Sequence, residues 1–294
     1  IDSLPWFQDF ESASTGTSST GSPFVDCMQR LNNGTTYGGY PYVSSSSSYN
    51  HTPGGNKGLY WYNTTTTGTY GDYEIVVLPP VNTDNYPINS LQFKFWAKSS
   101  STSYFPVFHV GVMTNPDDAS TFVSLDTINL GNSTTFTEYI TSLANYNGTG
   151  RFVALRAVRP ATSWYAYVDD LTLEVLPVCP QVCCIDATTT AGSALVTWNY
   201  HTAIAEPTGF NLTLIDSTGS TTTYTATDLF YAFTGLNAGA EYKLLISADC
   251  GTEGEGAVDS IVFNTNSLAC GYIDPTTTGY VELGNGVAEG TTYY

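Results

Sequence analysis

Two adjacent carboxylates, Asp169 and Asp170, lie in the middle of an apolar, β-prone run, residues 165–174. Because successive side chains of a strand point to opposite faces, one carboxylate is predicted to point inward and the other outward. An inward carboxylate needs a cation or several hydrogen-bond donors, and the chain has only 8 Lys and Arg residues. The pair therefore indicates a hard cation with oxygen ligands, most simply Ca²⁺. The alternative is a solvated edge strand in which the two Asp residues only discourage aggregation.

The composition limits both the fold class and the partners. The 294 residues include 26 Asp and Glu against 8 Lys and Arg, a net charge of −18. This field repels nucleic acid and anionic lipid, so neither is an expected partner. No apolar run approaches the roughly 18 residues of a membrane span, so membrane insertion is not expected. With 22 Tyr, 14 Phe and no sustained apolar period of 3.6 residues, the chain is predicted to be all-β.

The pattern of the predicted strands changes between Pro177 and Pro180. Residues 1–176 are predicted to form one domain with long loops. Residues 179–268 show short strands at regular spacing over about 90 residues, which is typical of a second β-sandwich. The Gly- and Thr-rich segment 269–294 is predicted to be a linker or the start of a further module.

Four segments of the first domain carry a resemblance to a known family, in the order LPWFQDFES, LQFKFWAK, GRFVALRAV and WYAYVDDLTLE. With them, residues 1–176 resemble the cleaved-adhesin and MAM-like jelly rolls of secreted multidomain proteins, notably of Bacteroidetes bacteria. The resemblance implies a structural Ca²⁺ held by Glu11 and by Asp169 or Asp170. Because the two end strands of a jelly roll lie side by side, Glu11 is expected next to Asp170.

The second domain contains TGLNAGAEYKLLISA, which matches the L-x-x-G/A-x-x-Y signature of fibronectin type III domains. Residues 179–268 resemble that family, with Trp198 at the position of the core Trp of its second strand and Tyr242 at the tyrosine corner. The predicted fold is therefore a jelly-roll β-sandwich followed by a fibronectin type III-like β-sandwich, with a short C-terminal linker.

Six cysteines without paired CxxC spacing indicate disulfides and an oxidising compartment, which predicts a secreted or cell-surface protein. Cys250 is expected to pair with Cys183 or Cys184. Two other cysteines lie near the borders of the second domain, Cys179 and Cys270. Cys27 is alone in the first 178 residues, and it is expected either to remain free and buried or to bond across the domain boundary.

The sequence shows none of the common catalytic motifs. The three histidines, His51, His109 and His201, are not near a nucleophile motif such as G-x-S-x-G, and no two have the i, i+4 spacing of a zinc protease. The glycines fall in turns rather than in a phosphate-binding loop. Adjacent Asp169 and Asp170, predicted on opposite faces, do not form the facing pair of a glycosidase. The chain is therefore predicted not to be an enzyme.

The irregular segment before Leu59 is aromatic, and Asp26 is its only carboxylate after residue 11. It holds four tyrosines, Tyr37, Tyr40, Tyr42 and Tyr49. Strand alternation then leaves either Trp61 or its neighbours Tyr60 and Tyr62 on the outer face. Such rings stack on sugars or anchor protein contacts, although loop tyrosines also simply cover the ends of a sandwich. The predicted ligand site consists of Tyr40, Tyr42 and Trp61.

Together these features predict a non-catalytic adhesion or ligand-binding fragment for an extracellular protein or glycan. The jelly roll would be stabilised by calcium, and the fibronectin-like domain would act as a spacer. One alternative is a pair of carbohydrate-binding ancillary modules of a secreted peptidase or glycosidase whose catalytic domain lies outside this fragment. Another is a purely architectural spacer.

Overall fold

The computed structural model describes residues 1–24, 27–64, 72–158 and 162–267. In these residues the chain is all-β, as predicted. It divides into two compact units, Ile1–Leu176 and Pro177–Tyr294. The predicted linker 269–294 lies outside the described residues, as does Cys270. Within the described ranges, no helix is long and apolar enough to cross a membrane.

The described part of the first unit contains eleven strands: β1 Trp6–Gln8, β2 Gln29–Asn32, β3 Tyr42–Ser45, β4 Lys57–Asn63, β5 Glu74–Val77, β6 Leu91–Ser99, β7 Val107–Met113, β8 Val123–Asn129, β9 Thr137–Ser142, β10 Phe152–Ala157 and β11 Trp164–Val175. They form two antiparallel sheets. One has the order β3-β4-β11-β6-β9, with β1 also paired to β11, and the other has the order β2-β5-β10-β7-β8. Two single-turn 3-10 segments lie between strands, Ile88–Ser90 and Ala119–Thr121.

The core of the first unit lies between these two sheets. Phe93 of β6 is fully buried, as its alternation with polar neighbours predicts. The Phe108 ring of β7 contacts rings of the opposite sheet at centroid distances of 5.0 Å to Trp61 and 5.3 Å to Trp164. These contacts make the unit a sandwich of two antiparallel sheets, and the predicted jelly-roll class is confirmed.

The second unit contains seven strands in its described residues: β12 Val182–Thr189, β13 Ser193–Tyr200, β14 Gly209–Asp216, β15 Thr221–Ala226, β16 Phe230–Thr234, β17 Glu241–Asp249 and β18 Asp259–Asn264. The sheets β12-β13-β16 and β15-β14-β17-β18 form the predicted fibronectin type III-like sandwich. Trp198 lies in its core. The N–H of Asn237 donates to the Tyr242 hydroxyl at 2.9 Å, so the predicted tyrosine corner is present.

The disulfide arrangement differs from the predicted one. Cys250, directly after β17, is bonded to Cys179, with their Cα atoms 5.8 Å apart. Cys183 and Cys184 lie instead on β12, in the opposite sheet from β17, so the predicted bond to Cys250 is wrong. Cys27 is exposed rather than buried, and no described cysteine is bonded to it.

Candidate functional site

The two adjacent carboxylates lie at a break in strand β11. On one side, β11 pairs with β4 up to Val168 and with β1 from Leu171 onward, so its neighbour changes at Asp169 and Asp170. On the other side, a bulge adds one residue to β11 between Asp169 and Thr172. Asp170 has a φ of 49°, in the left-handed region that few residues other than glycine occupy.

This bulge overturns the prediction that the two carboxylates point to opposite faces. Val168 and Leu171 are both fully buried, so the inward-facing set changes from even to odd residue numbers across the break. Asp169 is 0% exposed and Asp170 is 8% exposed. Both carboxylates meet the same segment, residues 50–57, called here the 50–57 loop. It consists of the second part of the connection from β3 to β4 and the first residue of β4.

The 50–57 loop supplies the hydrogen-bond donors for both carboxylates. The backbone N–H groups of His51 and Thr52 donate to Asp169 Oδ2 at 2.7 and 3.3 Å. The Thr52 hydroxyl donates to Asp170 Oδ1 at 2.7 Å, and His51 Nδ1 lies 2.6 Å from Asp170 Oδ2. The imidazole of His51 stacks on Trp96 with a centroid distance of 3.8 Å and an interplanar angle of 8°. The loop is therefore fixed to the sheet through side chains as well as backbone.

Glu11 binds the other end of the same loop. Its Oε1 atom accepts the backbone N–H groups of Asn56 at 2.9 Å and Lys57 at 2.8 Å. The Lys57 ammonium in turn donates to the carbonyls of Glu11 and Ala13 at 2.7 and 2.9 Å. A Cβ atom on Gly55 would collide with Glu11 Oε1, so a larger residue there would displace this carboxylate. The pairing of β1 with β11 brings the residues before Glu11 alongside the Asp pair, as expected for the end strands of a jelly roll.

The electrostatics of the site centre on Asp169. Burial raises the pKa of Asp169, the backbone N–H of His51 opposes this rise, and the neighbouring Asp170 carboxylate adds to it. Backbone N–H donors from Asp170 and Thr52 also act in the opposite direction, and the resulting pKa is about 7. Three hydrogen bonds thus balance the charge of this buried carboxylate only partly. A group in this state is protonated in a large fraction of molecules near neutral pH.

The three residues predicted as calcium ligands, Glu11, Asp169 and Asp170, therefore converge on one loop. Carboxylate oxygens are the ligands that Ca²⁺ prefers, and an incompletely balanced buried carboxylate suits a cation. In the structure, however, these oxygens accept N–H and O–H groups of the loop. Within the described residues, no group of three or more His, Cys, Asp or Glu side chains is arranged to hold a metal ion. His51, whose Nδ1 atom faces Asp170, is a residue of this site that was not predicted from the sequence.

A second candidate site is a cluster of tyrosines on the outer face of strands β3, β4 and β11, called here the tyrosine face. Cross-strand register places Tyr42 opposite Tyr60, and Tyr60 opposite Tyr167. Rings of Tyr49 and Tyr167 stack at 4.3 Å, and those of Tyr62 and Tyr165 stack at 4.4 Å. The complete tyrosine face comprises Tyr40, Tyr42, Tyr49, Tyr60, Tyr62, Tyr104, Tyr165 and Tyr167.

The tyrosine face consists of neutral phenol groups. Burial, followed by the neighbouring tyrosines, raises the pKa values of Tyr60 and Tyr167 above the ordinary phenol value. These hydroxyls therefore remain hydrogen-bond donors as well as acceptors throughout the physiological pH range. Lys98 lies opposite Tyr167 in the register, with its Nζ atom 5.6 Å from that ring, and adds a positive charge at the border.

Two of the three predicted ligand-binding residues need correction. Trp61 is 0% exposed and packs against Phe108, because alternation along β4 turns its neighbours Tyr60 and Tyr62 outward instead. Tyr40 is only 7% exposed, with its ring packed among Tyr42, Tyr60 and Tyr62. Only Tyr42 of the predicted three is partly exposed on the tyrosine face.

Tyr165 and Tyr167 are members of the tyrosine face that were not predicted from the sequence. Both lie on β11 at alternate positions with Asp169, so a two-residue period starting from the carboxylate would have placed them on one face. Their pairing with Tyr62 and Tyr60 depends on which strands become neighbours, and the residue order alone does not reveal it.

No protein-family model matches this sequence, and a search of curated proteins found no match. Among solved structures, the chain is similar to the K1 cleaved adhesin domain of Lys-gingipain from Porphyromonas gingivalis W83. The sequence identity is 12% and the TM-score 0.42, over 59% of this chain and 99% of that chain.

The second unit's class of fold also occurs among the similar structures. A fibronectin type III domain of human collagen alpha-1(XX) is 17% identical with a TM-score of 0.29, over 32% of this chain and 90% of that chain. The FN5 domain of Drosophila Lar is 20% identical with a TM-score of 0.25, over 31% of this chain and 99% of that chain. The strand pairing of this chain itself defines its two sandwiches.

Proposed function

We propose that this chain is a non-catalytic, ligand-binding fragment of a secreted or cell-surface protein, and that the tyrosine face of its first unit binds an extracellular glycan. The second unit serves as a spacer. The observation that carries the proposal is the tyrosine face itself, in which eight tyrosine rings contact one another. Seven come from β3, β4 and β11 and the segments next to β3, and Tyr104 comes from the connection between β6 and β7.

The stacking of the rings favours a polar, uncharged ligand. Tyr49, Tyr60 and Tyr167 stack on one another with interplanar angles of 13° to 21°. Ring faces that contact other rings are not available to a ligand, whereas these partly exposed side chains still offer ring edges and hydroxyl groups. A glycan supplies hydroxyls that match phenol donors and acceptors, together with C–H groups that pack on aromatic edges.

Two features of the chain outside the tyrosine face support an extracellular role. The net charge of −18 and the buried Cys179–Cys250 disulfide both suit a protein of an oxidising, extracytoplasmic compartment. A neutral phenol surface also avoids the free energy needed to desolvate charged groups, which a ligand would meet on much of this acidic protein.

We further propose that Ca²⁺ binds at Glu11, Asp169 and Asp170 and stabilises the 50–57 loop. The partly balanced charge of Asp169 supports this proposal. When bound, the ion would supply positive charge for the buried carboxylates. Because Tyr49 belongs to the tyrosine face and precedes Asn50 in the chain, a fixed 50–57 loop also holds one border of that face in place.

The His51–Asp170 pair resembles the pairs that orient a catalytic imidazole in hydrolases. In this protein the imidazole lies flat on Trp96 and its Nδ1 atom faces Asp170, while the next loop residue is also bound to Asp170. These contacts support a structural role in anchoring the loop.

The proposal is tested by screening the full chain on a glycan array and against a set of extracellular proteins. The affinity for the best ligand is then measured for a variant of the tyrosine face. In the triple variant Tyr49→Phe, Tyr60→Phe and Tyr167→Phe the rings remain but the hydroxyls are lost. Three lost hydrogen bonds of about 0.5–1.5 kcal/mol each should weaken glycan binding about tenfold or more. The matched control is Tyr224→Phe, a partly exposed tyrosine of the second unit that should bind as the unchanged protein does.

Circular dichroism and thermal unfolding of the same samples show whether each variant is folded. A glycan that binds the folded triple variant with full affinity would contradict the assignment of the tyrosine face. Binding of an extracellular protein without any glycan would favour protein adhesion, and no binding in either screen would favour the architectural spacer.

A further inference from the structure

Cys183 and Cys184 lie side by side on strand β12, with their Sγ atoms 3.2 Å apart. Consecutive side chains of a regular strand point to opposite faces, which would separate these sulfurs. The register with β13 shifts between Cys183, opposite Asn199, and Asp186, opposite Thr197, so β12 carries one extra residue there. Cys184 has a φ of 58°, in the left-handed region. The bulge is therefore the local feature that brings the two sulfurs together.

The surroundings of the two sulfurs differ. Cys184 is exposed, whereas Cys183 is partly buried. Burial, and after it the neighbouring Cys184 and the Asp259 carboxylate, together raise the pKa of the Cys183 thiol to about 12. These surroundings disfavour a negatively charged sulfur at Cys183. A disulfide carries no charge, so the same surroundings do not oppose it.

We propose that Cys183 and Cys184 are a redox modification site, which closes into a disulfide between neighbouring residues and opens more readily than the Cys179–Cys250 bond. The partner is a disulfide-containing oxidant, either a small-molecule disulfide or an oxidised dithiol protein. This proposal concerns the second unit and does not depend on ligand binding by the tyrosine face.

The chemistry is two successive thiol–disulfide exchanges. The exposed Cys184 sulfur, as its thiolate, attacks one sulfur of the oxidant and displaces the other as a thiol, which leaves a mixed disulfide on Cys184. Cys183 Sγ, on losing its proton, then attacks Cys184 Sγ and displaces the second thiol of the oxidant. Two electrons and two protons pass to the oxidant, and a dithiol reductant reverses both steps.

The difference in stability between the two bonds follows from the spacing and burial of the residues. Consecutive Cα atoms are about 3.8 Å apart, which is less than the usual 4.4–6.8 Å of a disulfide, and such departures make a bond more reducible. Cys179 and Cys250 have Cα atoms 5.8 Å apart, within the usual range, and are each only 5% exposed. A reductant therefore reaches the exposed Cys184 sulfur first, and it meets the more strained bond there.

The experiment uses the full chain equilibrated in glutathione buffers of graded redox potential, quenched in acid, alkylated under denaturing conditions and mapped by peptide mass spectrometry. After equilibration in the oxidised buffer, we expect the Cys183–Cys184 peptide to be unalkylated and lighter by two hydrogen atoms than its reduced form. As the buffer becomes more reducing, Cys183 and Cys184 should both become alkylated while Cys179 and Cys250 remain bonded to each other.

A second measurement detects the reduced form, in which Cys183 and Cys184 are both thiols. Phenylarsine oxide, a trivalent arsenical that bridges two adjacent thiols, should bind once per chain after mild reduction. The Cys184→Ser variant should lose this binding, while the control Cys27→Ser should keep it. The proposal is overturned if both cysteines are alkylated in the oxidised buffer, or if Cys183 is found bonded to Cys27 or Cys270. It is also overturned if the two disulfides open at the same redox potential.

Discussion

His51 Nδ1 lies 2.6 Å from Asp170 Oδ2, and the same imidazole stacks on Trp96. One side chain of the 50–57 loop thus contacts both β11, at its bulge, and the neighbouring strand β6. If the imidazole is removed, an Asp170 carboxylate oxygen loses this partner although it is largely shielded from water. The removal also uncovers the indole ring of Trp96.

We therefore expect His51→Ala and Asp170→Ala each to destabilise the first unit, and to do so non-additively. A double-mutant cycle should give a coupling free energy of about 0.5–3 kcal/mol, because the two side chains contact each other directly. The free energies of unfolding are measured by urea titration with tryptophan fluorescence. Effects of the two single changes that simply add in the double variant would rule out a direct energetic role for this pair.

Asp169 predicts a pH dependence of stability in the presence of excess chelator. Since its pKa is raised to about 7 in the folded protein, the folded state holds the proton more tightly than the unfolded state does. The stabilisation from this proton is fully present below the unfolded pKa of about 3.9 and is lost as the pH rises through about 7. The contribution to the slope is at most about 1.4 kcal/mol per pH unit.

The corresponding variant is Asp169→Asn, which keeps the shape of the side chain but does not titrate. Urea unfolding at a series of pH values should show a flatter profile for this variant between about pH 4 and pH 7. If the two proteins have parallel profiles, Asp169 titrates in the folded state as it does in the unfolded chain.

Calcium should stabilise the first unit and leave the second unchanged. A ligand that binds only the folded state at 100 times its Kd adds about 2.7 kcal/mol to the free energy of unfolding. Differential scanning calorimetry with calcium and with excess chelator should therefore show a shift of one transition only. Glu11→Gln and Asp170→Asn should reduce the shift, and Asp117→Asn, an exposed turn residue of the same unit, serves as the control. Identical calorimetric traces in the presence and absence of calcium would contradict the proposed calcium site.

Adjacent aromatic residues on the two faces of β4 are predicted to contribute unequally to the stability of the first unit. Trp61→Ala leaves a cavity between the sheets and should destabilise the first unit by about 3–5 kcal/mol. Tyr62→Ala removes a partly exposed ring and should have a clearly smaller effect on stability. Thermal unfolding of both variants provides the measurement. A stable Trp61→Ala protein that has lost only ligand binding would restore Trp61 as a ligand-binding residue.

The contribution of the tyrosine corner to the stability of the second unit can be tested by removing the Tyr242 hydroxyl. In Tyr242→Phe the N–H of Asn237 loses its acceptor, and we expect a loss of about 0.5–1.5 kcal/mol in the free energy of unfolding of that unit. Tyr224→Phe is the matched control and should change stability less. Equal effects of the two substitutions would show that the hydrogen bond has no particular role in stability.

Much of the fold could be predicted because burial follows local alternation. Leu91, Phe93 and Phe95 are fully buried on one face of β6, as their spacing indicates. The tyrosine at position 242 and the tryptophan at 198 likewise occupy the places that their sequence context suggests.

The site could be predicted only in part, because its geometry depends on one inserted residue and on distant contacts. The alternation rule fails at Asp169 and Asp170, since a bulge changes which residues point inward. Two of the three backbone donors to Asp169, those of His51 and Thr52, come from a loop 118 and 117 residues earlier, a distance over which spacing carries no information. For Trp61 the rule itself left two options, and the packing of β4 against the second sheet decided between them.

The pairing of β1 with β11 has a mechanical consequence. The first residue of β1 lies opposite the end of β11, with Trp6 facing Leu173 and Gln8 facing Leu171. A tension applied through the two ends of the first unit would therefore peel these pairs apart one after another, instead of shearing them together. The peeling would then reach Phe10, which is buried, and Glu11, which is bound to the 50–57 loop. The resistance of this unit to force is thus expected to come from that anchored loop. Calcium bound there would raise the force needed to unfold the unit.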